Sequence, residues 1–170
     1  MTQPLMTRLL GAMALLCVVA LPCAAADDEE PFVEAGWQTP AAPQNADLLP
    51  FYTSLSGLSF AIDAKSLSVD KDGVARFTMV ATSKSGAKNV SYEGLRCATM
   101  EHKLYAVGSA DGSWTRARDP QWLPITIAGS TVPHGTLAKE YICKDSRIPG
   151  KATAIVNDLR YHRSPFSPQT

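Results

Sequence analysis

With 170 residues, and sixteen lysines and arginines against sixteen aspartates and glutamates, the chain carries no formal net charge. That balance excludes the global basic field expected of a nucleic-acid or anionic-membrane binder. A hydrophobic content of 45% excludes a disordered chain and suits a folded globular protein.

The first 26 residues read as a secretory signal peptide. Arg8 supplies the positive start, residues 9–21 are almost unbroken apolar sequence, and Ala24-Ala25-Ala26 offers a small-residue cleavage site before Asp27-Asp28-Glu29-Glu30. The apolar run is shorter than the roughly 20 residues needed to span a bilayer, and nothing later resembles a span. No transmembrane anchor is therefore expected after cleavage. Bacterial lipoprotein processing takes a small residue directly before the modified cysteine, whereas Cys23 follows Pro22 and Cys17 follows Leu16. Lipid anchoring at Cys23 is disfavoured, and the expected location is the periplasm or the secreted fraction.

Export decides how the cysteines are read. Cys17 and Cys23 leave with the leader, so Cys97 and Cys143 remain as an even pair in an oxidising compartment, expected to form one disulfide. Two reduced, buried thiols are the alternative. A redox-active pair is disfavoured because there is no Cys-x-x-Cys.

Residues 27–56 read as an acidic, Pro-containing N-terminal arm, with Pro40, Pro43 and Pro50 keeping it extended against the domain. The acidic start, Glu34 included, reads as solvated, and the basic residues near the C-terminus as a charged helix face. A single globular domain is expected over 57–163. Leu58, Phe60 and Ile62, then Leu67 and Val69, alternate with polar or small residues at strand period. Asp70-Lys71-Asp72-Gly73 supplies hairpin chemistry. The return strand over 74–82 carries Ala75, Phe77, Met79 and Ala81 on one face and Arg76 and Thr78 on the other. Further strands follow over 89–98 and 103–108, joined at Met100-Glu101-His102, before a turn at Asp111-Gly112-Ser113. From Gly135 the period changes: Leu137, Ala138, Tyr141 and Ile142 fit one short helix, and Ala152, Ile155, Val156 and Leu159 a second. Residues 164–170, with Pro165 and Pro168, read as a disordered tail. The expected fold class is α+β, an antiparallel meander sheet with two C-terminal helices packed on one face, stapled by Cys97 and Cys143.

The run Asn89-Val90-Ser91-Tyr92-Glu93-Gly94-Leu95-Arg96-Cys97 resembles the cryptic neisserial protein-like (CNP-like) family of exported bacterial proteins. The resemblance continues through Tyr105-Ala106-Val107-Gly108, Trp114, Trp122 and residues 137–143, and covers roughly residues 30–161. It implies a Gram-negative source and a periplasmic or envelope location. It implies no activity and brings no catalytic or binding residues with it.

Local patterns give few sites. Gly57-Leu58-Ser59-Phe60-Ala61 approaches a nucleophile elbow, but the elbow joins a strand to a helix and Ser59 sits inside a strand pattern. Asp70-x-Asp72-Gly73 resembles part of a calcium loop, yet that register puts Met79 where a bidentate carboxylate is needed. His102, His134 and His162 are distant in sequence and form no metal motif, so each reads as a surface or turn residue and no metal or other cofactor is expected. Glu93 shares a strand face with Leu95 and Cys97 while Arg96 points opposite; it is either a buried pair or pocket member, or an edge-exposed carboxylate, the second being expected. Asn89-Val90-Ser91 matches a glycosylation sequon, a pattern common by chance.

The candidate ligand-binding residues are Trp114, Arg116, Arg118 and Trp122. Two indoles flanking two guanidiniums can stack on sugar rings or bases while gripping carboxylate or phosphate. The favoured alternative packs both indoles at the sheet margin with the arginines solvated. The functional expectation is a non-catalytic binding or structural module of the cell envelope, with an envelope polysaccharide or a periplasmic protein as partner. The alternative is a hydrolase with a non-obvious active site.

Overall fold

The computed structural model describes residues 31–126 and 128–163. The expected leader over 1–26, the acidic residues 27–30 and the expected tail over 164–170 lie outside the described residues. Among these, eight strands form one antiparallel sheet: β1 (Leu48–Thr53), β2 (Ser59–Asp63), β3 (Ser68–Val69), β4 (Val74–Thr82), β5 (Lys88–Arg96), β6 (Glu101–Gly108), β7 (Trp114–Arg116) and β8 (Leu123–Pro124). The order is β1-β2-β4-β5-β6-β7, with β3 beside β4 and β8 beside β6. Two helical segments follow, α1 (Val132–Leu137), running on into a π-helical turn (Ala138–Ile142), and α2 (Ala152–Arg160). This is the expected α+β arrangement.

Four turns repeat one chemistry. At residues 54–57, 70–73, 83–86 and 109–112 a serine or aspartate carbonyl accepts the N–H of a glycine three positions on, at 2.8–3.0 Å. All four glycines have φ between +73° and +86°, a region that glycine alone enters freely. The turn between β5 and β6 has no glycine, and Met100 takes φ +50° in its place. The chain re-enters the sheet at Glu101, so Glu101 and His102 belong to β6 rather than to the expected connection.

The helix side of the sheet holds the main core. Ile62, Ala75, Phe77, Met79, Leu95 and Cys97 pack against Leu137, Ala138, Ile142, Ile155 and Leu159, all nearly inaccessible. Pro133, in the first turn of α1, starts the helix without forfeiting a hydrogen bond. The helix read from Leu137 onward thus begins earlier, and its second half is π-helical, bringing Ile142 into the core. Cys143 follows and is bonded to Cys97, with Cα atoms 5.5 Å apart. The covalent staple between layers is present.

The opposite face is covered by the arm. Trp37 lies on Tyr105 with ring centroids 4.6 Å apart, and Tyr92 and Trp114 complete the aromatic cluster. Trp114 donates its indole N–H to the Pro40 carbonyl at 2.9 Å. Beneath the arm lies Arg76, only 1% exposed, donating to Asp70 (2.8 Å), Asp72 (2.7 Å) and the Ala35 carbonyl (3.3 Å). The acidic arm is therefore not wholly solvated: Glu34 accepts from Tyr105 at 2.6 Å and from Lys103 at 2.7 Å. The arm's last residues form β1, an edge strand whose register shifts between Pro50 and Tyr52, a place in a sheet that tolerates proline.

Candidate functional site

Glu93, His102 and His134 converge at the margin of the helix-covered face. Glu93 stands on β5 opposite Leu104 of β6, and His102 stands opposite Leu95, so the carboxylate and the first imidazole are diagonal neighbours on one face. His134 reaches them from α1.

Glu93 is 7% exposed, so the expected edge-exposed carboxylate is in fact buried. The physical reason is α1, which places His134 over a strand position that would otherwise face water. Glu93 Oε2 lies 2.6 Å from His134 Nε2 and 3.8 Å from His102 Nδ1, and Oε1 accepts from the Ser91 hydroxyl at 2.5 Å. Burial alone would push its pKa up. The approach of His102, the His134 bond and charge, and the Ser91 hydroxyl outweigh this and bring it down to about 2. An ionised carboxylate only accepts, so the short bond places a proton on His134 Nε2. The two imidazole rings overlap at 4.0 Å between centroids. Nδ1 of each histidine is buried with no hydrogen-bond partner. One donor atom from each of the three residues can be chosen so that all lie within 4.8 Å of one another.

Sequence reasoning placed both histidines at the surface or in turns, and the fold moves them together. The readable signal was Glu93, whose strand alternation with Leu95 and Cys97 put a carboxylate on a core face. A carboxylate there needs a partner, but the partner's identity depends on α1 docking. Leu104, Val107 and Leu123, on the same sheet face beside His102, remain 37–53% exposed.

The candidate ligand-binding residues lie on the arm side. Arg116 is exposed, with its guanidinium 4.6 Å from the Trp37 ring centre. Arg118 is exposed beyond the end of β7. Trp122 packs edge-on against Phe32, with Arg96 and Lys103 within 5.3 and 5.6 Å of its ring. The structure brings Trp114 and Arg116 to one end of the arm and places Trp122 at the other, so the candidate residues do not form one cluster. Both indoles contact arm residues. A groove of about 420 Å³ opens nearby between Ala42, Lys88, Val90 and Gly108, with Lys88 the one titratable side chain lining it.

Other motifs resolve structurally. Ser59 lies in β2 opposite Thr82. The carboxylates of Asp70 and Asp72 grip Arg76. His162 is exposed just past α2. Among the described residues no helix is long and apolar enough to cross a membrane. A model of the CNP1-like family matches residues 27–160. No match was found among curated proteins or among solved structures.

Proposed function

The chain belongs to the CNP1-like family, and from that premise we propose that it is an exported cell-envelope protein acting without catalysis as a binding module. The disulfide between Cys97 and Cys143 supports an oxidising compartment, in keeping with the leader-like start of the sequence. The observation that carries the binding role is the pairing of Arg116 with Trp37: an exposed guanidinium held over an indole, with Arg118 close in the chain. Arm and sheet together pre-position cationic and aromatic groups, which suits sugar rings bearing carboxylate or phosphate. The ligand class is an anionic envelope polysaccharide.

Arg116→Ala with Arg118→Ala is expected to abolish retention on purified envelope material while the melting temperature stays near wild type, since both side chains are exposed. Unchanged retention overturns the surface. Trp114→Ala is the poorer test because Trp114 also secures Pro40.

The convergence of Glu93, His102 and His134 favours a hydrolase as second reading, since titratable groups brought together mark reactive sites. Its sign would be turnover of a chromogenic ester that Glu93→Gln removes.

A further inference from the structure

We propose that Glu93, His102 and His134 bind a single borderline divalent transition metal of the Zn²⁺ type. The site is independent of the arm-side surface and lies on the other face of the sheet. Two imidazoles and one carboxylate form a nitrogen and oxygen donor set that suits zinc over calcium or magnesium, which take oxygen.

Three observations converge. First, each donor comes from a different element, β5, β6 and α1, and all three side chains are at most 14% exposed. A metal here would join sheet to helix. Second, His102 Nδ1 is buried 3.8 Å from the carboxylate, and no hydrogen bond replaces the water it has lost. A coordinate bond would offset it. Third, metal bonds of about 2.0–2.1 Å in tetrahedral geometry set donor atoms roughly 3.4 Å apart. The separations of 2.6 and 3.8 Å from Glu93 Oε2 bracket that value, and one donor atom from each residue lies within 4.8 Å of the other two, so side-chain rotation has to draw the set together on binding. Binding displaces the His134 Nε2 proton, whose place the metal takes. Ser91 holds the other oxygen of Glu93 and fixes the carboxylate's orientation, the part played by outer partners in metal sites. Three protein ligands leave the fourth position to water or a small ligand.

The test is calorimetric titration of the purified, disulfide-intact protein, first stripped with chelator, using ZnCl₂ alone and CaCl₂ alone. One equivalent of zinc should bind, excess zinc should raise the melting temperature, and calcium should give no binding heat. His102→Ala is the decisive variant, since His102 Nδ1 forms no hydrogen bond and its removal breaks none there. It should weaken zinc binding about tenfold or more in a stripped protein that still melts in one cooperative transition. Glu93→Gln should weaken zinc binding similarly. No zinc uptake, uptake untouched by both substitutions, or equal binding of calcium would each overturn the proposal.

Discussion

Arg76 shows how much one residue can organise. Its side chain is 1% exposed, and a charge so buried is tolerable only because two carboxylates and a backbone carbonyl surround it. Both carboxylates come from the turn before its own strand, and the carbonyl comes from the arm. Asp72→Ala removes the ligand that holds Arg76 and also receives the Ala35 N–H at 2.7 Å. The expected loss is about 3 kcal/mol or more, because one partner of a buried pair goes and its charge stays. Urea denaturation measures it, and a change below 1 kcal/mol would show that Asp70 and Glu34 suffice. Gly94 acts by having no side chain: a Cβ there would stand 2.6 Å from the Tyr105 hydroxyl oxygen. A bulge between Tyr92 and Glu93 in the β5 to β6 ladder accompanies that close approach, and Tyr105 ends under the arm with its hydroxyl on Glu34. The alternation of β4 was legible in sequence, with Ala75, Phe77 and Met79 opposed to Arg76 and Thr78. What was not legible was that the polar face is buried too, because a period-two pattern reports polarity and not what lies above it.

At the level of elements, the arm up to Gln44 behaves as a second covering layer without regular secondary structure, and the expected arm ends in a strand, β1. Its residues find side-chain partners rather than a ladder: Phe32 on Arg96 and Trp122, Glu34 on Lys103 and Tyr105, Trp37 on Tyr105 and Tyr92. Two carboxylates tie it electrostatically. For Glu34, burial would raise the pKa, but bonds from Lys103 and Tyr105 and the charges of Lys103 and Arg76 bring it below the ordinary value. For Asp72, burial is likewise outweighed by Arg76 and the N–H groups of Ala35 and Val74. Lowered values mean that the folded state binds fewer protons than the unfolded chain in acid. The contribution is therefore complete above the ordinary carboxylate range near pH 4 and fades as pH falls through the lowered values. Tryptophan emission should shift to the red as Trp37 and Trp114 are uncovered once the pH falls below the ordinary carboxylate range near 4. Glu34→Gln should show part of that shift at neutral pH, and emission unchanged down to pH 2 would contradict the ionic attachment. The Pro-containing composition announced an extended arm; its route could not be read, since it depends on strands far along the chain.

For the molecule as a whole, the disulfide spans 46 positions and joins the sheet to the end of the π-helical turn. In the loop-closure model such a crosslink removes roughly 4 kcal/mol of unfolded-state entropy. Reduction should lower the melting temperature by on the order of 10–15 °C, measured by calorimetry with and without thiol reagent. An unchanged transition would mean that packing of Leu137, Ile142, Ile155 and Leu159 alone holds the helices. The antiparallel sheet, the two helices and the pairing of Cys97 with Cys143 were all readable in sequence, because apolar period, turn residues and cysteine count are local or countable properties. The candidate site was not. Glu93, His102 and His134 are separated by tens of residues and meet only through β5–β6 register and the docking of α1. Likewise Arg116 and Trp37 become neighbours only once the arm crosses the sheet. Local pattern determined which segments become strands and helices and which faces are apolar; tertiary packing alone decided which distant polar side chains share one buried space, since such a meeting leaves no periodic trace in the chain.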